Sequence, residues 1–222
     1  MKDNQREECG MNGRKFLKGA LIFAALLPLV DGEAATPHTV AEGKVAVIYF
    51  SWSKDGNTRF AAETIAHKAD AKLFEIKPKK PYSTDFRACC DEAKPECYGK
   101  ELRPIRQIEG LDLSQFEVVF IGTPNWFGTM APPVRTFLTE NASALMGKAL
   151  CLFQTNGGGG MQRCAQEFIE LLPGHKILPA KDFTGSLIRN SVSDLEQFVT
   201  DRVTIRAVSY APVVPPRGPA RH

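Results

Sequence analysis

Several features that mark other protein classes are scarce or absent in this sequence. The longest apolar run, from Gly19 to Val30, is shorter than the roughly 20 residues that a membrane-spanning helix needs, so we expect no stable membrane span. The formal net charge is only +3, and no stripe of Lys and Arg with interleaved aromatics is present, which argues against nucleic acid as a partner. The four histidines lack metal-ligand spacing and no Gly-x-Ser-x-Gly elbow occurs, which argues against a metal enzyme and a serine hydrolase.

Cysteine is present but forms no Cys-x-x-Cys motif, which disfavours a redox-active dithiol. Loss of Cys9 with a cleaved leader would leave five cysteines, an odd number, so at least one thiol would be unpaired within the monomer. In an oxidising compartment a disulfide from Cys89 or Cys90 to Cys97 is one option. Two others fall on core elements and read as buried thiols: Cys151 and Cys164.

Residues 1–35 have the order of a signal peptide. A basic stretch that contains Arg14 and Lys15 precedes the apolar run, and the small-x-small site Gly32-Glu33-Ala34 follows it, so we expect cleavage after Ala34. The segment also resembles the twin-arginine export motif, with Gly13 where the first arginine would stand. The leader predicts an exported protein, periplasmic or extracytoplasmic, and an uncleaved amphipathic anchor is the alternative.

The remaining chain alternates between two apolar periodicities. Continuous, β-branched runs predict strands that are buried on both faces, at residues 44–50, 71–76, 116–121, 149–153 and 177–183. Amphipathic stretches predict helices at 57–69, from 133 onward, at 161–172 and at 193–203. This alternation predicts an α/β fold in which helices cover both faces of an open, parallel, five-stranded sheet.

One domain is expected over residues 44–207, because 222 residues can hardly bury two α/β cores. Residues 36–43 are then a linker, and 208–222 form a Pro-rich tail that we expect to be disordered. The stretch 77–110 is too long for an ordinary connection, so it is either a further helix with long flanks or a functional insertion.

Ligands of open α/β sheets bind outside the carboxyl ends of the strands, so the loops there carry the functional signal. After the first strand, Ser51 and Ser53 precede Gly56-Asn57-Thr58 at the start of a helix. Free helix N–H groups, hydroxyls and a glycine suit a phosphate, although a plain capped helix start explains the same residues. The Gly-x-x-x-x-Gly-Lys and Gly-x-Gly-x-x-Gly motifs are absent, which argues against a nucleoside triphosphate or dinucleotide in this loop.

The loops after the third and fourth strands are also unusual. Large aromatics stand beside Gly128, where a flat ring stacked on Trp126 or Phe127 would cover them, although they could also fold back onto the core. Four glycines follow Asn156, and they permit close backbone approach to a ligand or a flexible turn.

At these three loops the sequence resembles the flavodoxin family, over about residues 44–203. Tyr49-Phe50-Ser51 with Gly56-Asn57-Thr58 is similar to the family's FMN phosphate loop. The resemblance implies a sheet of order 2-1-3-4-5 and non-covalently bound FMN. The residues that it implies around the cofactor are Ser51, Ser53, Gly56, Asn57, Thr58, Thr123, Pro124, Asn125, Trp126, Phe127, Gly128, Thr155, Asn156, Gly157 and Gly158.

The family's chemistry implies two redox roles and the sequence leaves a third open. The chain would carry electrons to a redox partner protein, or it would take hydride from NAD(P)H and reduce a quinone or similar acceptor, with no side chain needed as acid or base. Lys54-Asp55 lengthens the phosphate loop, which keeps open a flavodoxin-shaped binding module without flavin. Tyr82, in the insertion, would either approach the flavin or pack under its own loop.

Overall fold

A mostly parallel sheet forms the centre of the structure, a computed structural model that describes residues 36–53, 56–161 and 163–206. The strands of this sheet are β2 Val45–Tyr49, β3 Lys72–Glu75, β4 Val118–Trp126, β5 Thr129–Met130, β6 Ala149–Asn156 and β7 Lys176–Thr184. The central strands lie side by side in the order β3-β2-β4-β6-β7, and the short β5 pairs antiparallel with β4. The predicted α/β class with a parallel sheet is confirmed.

Helices cover both faces of this sheet because its buried strands alternate their side chains between two cores. From β2, Val45 and Val47 point to one core, whereas Ala46 and Ile48 point to the other. The helices are α1 Asn57–Lys68, α2 Phe86–Gly99, α3 Pro132–Leu145, α4 Cys164–Leu171 and α5 Val192–Thr200. Helices α1 and α5 supply buried residues to the first core, and α2, α3 and α4 supply them to the second.

The segment predicted to be a linker contains a strand, which corrects that prediction. β1, His38–Ala41, pairs in parallel with β8, Val203–Arg206, as a separate two-stranded sheet. The last helix accordingly ends at Thr200 rather than at residue 203, because the chain must extend to pair with β1. The stretch 77–110 contains α2, so the first of its two predicted explanations, a further helix with long flanks, is the correct one.

Among the described residues four cysteines are free and buried: Cys89, Cys97, Cys151 and Cys164. Cys97 is therefore bonded neither to Cys89 nor to Cys90, which excludes the disulfide considered above. Burial raises the pKa of the Cys97 and Cys151 thiols to about 12, so they are protonated and unreactive near neutral pH. The predicted leader and Pro-rich tail lie outside the described residues, within which no helix is long and apolar enough to cross a membrane.

Candidate functional site

The three functional loops meet at one edge of the sheet because β2, β4 and β6 are neighbours that run in the same direction. Tyr49 at the end of β2 pairs with Gly122 of β4, and Pro124 of β4 pairs with Thr155 of β6. The segments that follow these positions therefore lie beside one another, as the sequence predicts for an α/β ligand site.

The first segment forms a small cradle at the start of α1. Gly56 is the N-cap residue of this helix and, as a glycine, contributes no capping side chain. A Cβ atom on Gly56 would lie 2.3 Å from Ser51 Oγ and 2.9 Å from Ser53 Oγ, so both hydroxyls converge on the space that the glycine leaves. The Ser51 hydroxyl donates to the Ser53 carbonyl at 3.1 Å. Lys54 and Asp55 lie outside the described residues.

The start of α1 is electrostatically suited to an anion. Its first turn carries no acidic residue that would oppose an anion at the partial positive charge of the helix N-terminus. Asn57 begins the helix, while the buried hydroxyl of Thr58 lies 2.6 Å from that of Thr155. This hydrogen bond ties the first loop to the end of β6, so Thr58 joins two loops of the site.

The segment predicted to be a loop after residue 121 first continues β4 beside β6 and then forms a hairpin at residues 125–130. β4 continues through Trp126 and pairs antiparallel with β5, so Phe127-Gly128 is a two-residue turn. Both have positive φ, 53° and 81°, as in a type I′ turn. Glycine suits that conformation, but a bulky Phe127 in the left-handed region costs about 1–2 kcal/mol. The surrounding structure must offset this strain.

Trp126 lies half-buried between the hairpin and the insertion. Its ring contacts Phe50 at 5.5 Å and Tyr82 at 4.9 Å between centroids, both edge to face. Tyr82 is buried, its hydroxyl donates to Glu96 at 2.5 Å, and the Arg103 guanidinium lies 3.7 Å from its ring centre. Burial and this bond raise the pKa of Tyr82, so the phenol stays neutral. Tyr82 packs beneath its own loop and holds the edge of the tryptophan.

Two predicted contact residues serve the frame of the site instead of its surface. Thr123 is fully buried, its hydroxyl donates to the Pro124 carbonyl at 3.0 Å, and it accepts the Ala131 N–H at 3.1 Å. Pro124 is buried between neighbouring strands. Through these two hydrogen bonds the hydroxyl of Thr123 links the start of α3 to β4.

The glycine-rich segment after β6 is an ordered turn built around Asn156. The Asn156 side chain accepts the N–H groups of Gly158 at 2.7 Å and Gly160 at 3.3 Å. Asn125 and Gln154 both donate to the Gly160 carbonyl, at 3.2 and 2.7 Å. The hairpin and the glycine turn are therefore fixed to each other, with Gly157 and Gly158 exposed at the rim.

Side chains behind the hairpin were not found by sequence reasoning. Glu167 of α4 is buried, accepts the N–H of Met130 at 3.1 Å and the hydroxyl of Thr129, and pairs with Arg135 Nε at 2.6 Å. These charges occupy helix positions that the sequence pattern treats as ordinary amphipathic positions. Burial of a carboxylate carries a desolvation penalty, which the donors around Glu167 offset, so the position of this side chain behind the hairpin is closely defined.

Comparison with known proteins identifies the group to which this arrangement belongs. A flavoprotein from Lactobacillus acidophilus, solved in complex with FMN, is 23% identical, with a TM-score of 0.55 over 68% of this chain and 99% of that one. A structure from Bacteroides uniformis, named as a flavoprotein, is 22% identical, with a TM-score of 0.59 over 71% and 98%. These likenesses show the fold. The family model described as Flavodoxin matches residues 44–200, which is most of the chain, and the protein therefore belongs to the flavodoxin family.

Proposed function

We propose that this protein binds FMN non-covalently at the carboxyl edge of its sheet and uses it for redox chemistry. The observation that carries the proposal is the convergence of three segments there: a hydroxyl-lined helix start, an aromatic hairpin and a glycine turn. A flavoprotein of the same fold binds FMN, which supports the choice of ligand.

The cradle around Gly56 would hold the phosphate. Ser51 and Ser53 present hydroxyls there, and the start of α1 adds N–H groups and a favourable dipole. Hydrogen bonds to a charged group are worth about 1.5–3 kcal/mol each, so a few of them anchor a cofactor without a lysine. The hydroxyl of Thr58 would act through Thr155, by keeping the cradle against β6.

The hairpin and the glycine turn would hold the ring system. Trp126 offers a half-buried aromatic surface whose edge is fixed by Tyr82, and Phe127 stands beside it. At the rim of the turn, Gly157 and Gly158 leave room for the polar edge of the flavin to approach the backbone. Bound FMN supplies the hydride and electron chemistry, while the residues orient it and exclude water from one face.

The charge of the chain favours a small-molecule acceptor over a basic protein partner. With a net charge of +3 the chain lacks the overall acidity that would attract a basic electron-transfer partner. We therefore propose reduction of a quinone or a similar acceptor with NAD(P)H as donor, and one-electron transfer to a partner protein remains the second candidate. The predicted leader supports action outside the cytoplasm, which fractionation of cells that express the full chain would test.

The first experiment is the visible spectrum of the purified protein before and after addition of FMN and desalting. Retained flavin bands support the proposal, whereas a protein that stays colourless at micromolar FMN would favour a binding module without flavin. For a coloured protein, steady turnover of NAD(P)H with a quinone supports the reductase role. Reduction by dithionite without such turnover would favour the carrier.

A further inference from the structure

The hairpin that carries Trp126 is short and strained, yet its geometry is well defined. It has two paired positions on each strand and a turn in which Phe127 adopts a left-handed conformation. An Asn-Gly or Gly-Gly turn would hold this shape by itself, but Phe-Gly does not. Within the hairpin, Asn125 Oδ1 accepts the Gly128 N–H at 2.9 Å, and contacts from outside the hairpin add to this support.

Helix α4 and its N-cap residue Arg163 contact three successive hairpin residues, 128–130. The N–H of Arg163 donates to the Gly128 carbonyl at 3.2 Å. One turn further along, Glu167 Oε2 accepts both the hydroxyl of Thr129 and the N–H of Met130, the latter at 3.1 Å. The Glu167 side chain is only 7% exposed. The buried carboxylate of Glu167 and the start of α4 thus both hold the second half of the hairpin, residues 128–130.

The second carboxylate oxygen fixes the orientation of the first. Glu167 Oε1 accepts Arg135 Nε at 2.6 Å, and the Arg135 guanidinium also reaches the Thr129 hydroxyl at 3.3 Å and the Glu101 carbonyl at 3.0 Å. Both oxygens therefore have donors, and the carboxylate cannot rotate without losing one of them. A carboxylate is needed here, because an amide offers one acceptor oxygen and would turn an N–H group towards a donor.

We propose that Glu167 is a positioning residue for the flavin ring, which acts through the Thr129–Met130 strand to fix Trp126 and Phe127. This inference rests on the proposed binding of FMN. Glu167 belongs to α4, the helix that follows the glycine turn, and it holds the Thr129–Met130 strand, while Asn125 joins the hairpin to the glycine turn. It lies behind the hairpin and would not itself touch the cofactor.

Glu167→Gln tests the inference, with Glu170→Gln as the matched control. Glu170 is on the same helix, exposed and paired with Lys100 at 3.5 Å, so its substitution makes the same charge change away from the hairpin. In the apo-protein, hydrogen exchange of the Met130 amide should be about tenfold faster or more in Glu167→Gln, and unchanged in the control.

Flavin affinity supplies the second readout, measured well below the unfolding temperature. Glu167→Gln should raise the dissociation constants of FMN and of riboflavin, which lacks the phosphate, by the same factor of about tenfold or more. A general loss of structure would instead lower the affinity for FMN more than that for riboflavin, because the phosphate cradle would be disrupted as well. Thr129→Val removes one donor to the same carboxylate, so adding it to Glu167→Gln should cost little more than Glu167→Gln alone.

Each outcome decides between the two proposals. If the wild-type protein fails to bind FMN, the proposed function falls, and faster exchange at Met130 still supports the control of the hairpin by Glu167. If wild type binds FMN and Glu167→Gln binds both flavins equally well, the positioning role is overturned. If Glu167→Gln does not fold, Thr129→Val alone must reproduce the faster exchange and the matched loss of both flavins, or the inference fails.

Discussion

Substitution of Gly56 by alanine should close the proposed phosphate cradle without straining the φ and ψ of residue 56 itself. Gly56 has φ −71° and ψ 157°, a conformation that alanine adopts freely. The added methyl would lie 2.3 Å from Ser51 Oγ and 2.9 Å from Ser53 Oγ, distances at which the hydroxyls must move away. It would also lie 3.0 Å from the Ser53 carbonyl, which restricts how far the chain can adjust.

The expected effect follows from the hydrogen bonds that are lost. Displacing one hydroxyl from a charged phosphate costs about 1.5–3 kcal/mol, which raises the dissociation constant of FMN by about 10- to 150-fold. The apo-protein loses only the weaker Ser51–Ser53 hydrogen bond, so its free energy of unfolding should fall by about 1 kcal/mol. Riboflavin has no phosphate, and its affinity should stay within about twofold.

Titration of flavin fluorescence with Gly56→Ala, wild type and a control measures these constants directly. Gly99→Ala is a suitable control, because Gly99 lies at the end of α2, where an added Cβ would meet only the flexible Glu101 side chain, at 3.2 Å and beyond. Unchanged affinity of Gly56→Ala for FMN would refute the placement of the phosphate. An equal loss for riboflavin would show that the substitution disturbs the ring site instead.

Three further substitutions probe other parts of the structure. Trp126→Ala should weaken FMN by about 1–3 kcal/mol, and an unchanged dissociation constant would remove Trp126 from the site. Thr58→Val leaves the Thr155 hydroxyl buried without its partner, so urea unfolding should show a loss of about 1–3 kcal/mol, largely recovered when Thr155 is also made Val. Because burial raises the pKa of Cys151 to about 12, its thiol stays protonated in the folded state while it ionises in the unfolded chain above about pH 9. From about pH 9 to 11 the stability of wild type should therefore fall about 1.4 kcal/mol per pH unit more steeply than that of Cys151→Ala, and parallel curves would contradict the buried neutral thiol.

The sequence predicts the central fold well because strand burial and helix amphipathicity are local patterns. Each of the five predicted strands coincides with an observed one, since a run such as Val45–Tyr49 is apolar on both faces. The ends are less well predicted. The third strand extends to Trp126, where polar and aromatic residues hide the continuation into a hairpin whose partner strand is two residues long.

The sequence does not decide between helix α2 and a functional insertion at residues 77–110, because the pattern of this helix is atypical. Pro95 lies inside it, which propensity alone would place outside a helix, and its buried stripe consists of Cys89, Ala93 and Cys97. That stripe repeats every fourth residue, which is the signal that could have identified the helix. By contrast, the buried charges of Arg135 and Glu167 depend on a tertiary contact that no single-sequence pattern contains.

The small sheet of β1 and β8 joins the beginning of the domain to its end. Its register joins His38 to Val203, roughly 165 positions apart, which is a contact of very high sequence separation. During synthesis β1 emerges long before β8, so the backbone N–H and C=O groups that β1 pairs with β8 have no partner strand until β8 has been made. Any truncation before Val203 would leave β1 without its partner strand, so the small sheet depends on four residues that follow the last helix of the domain.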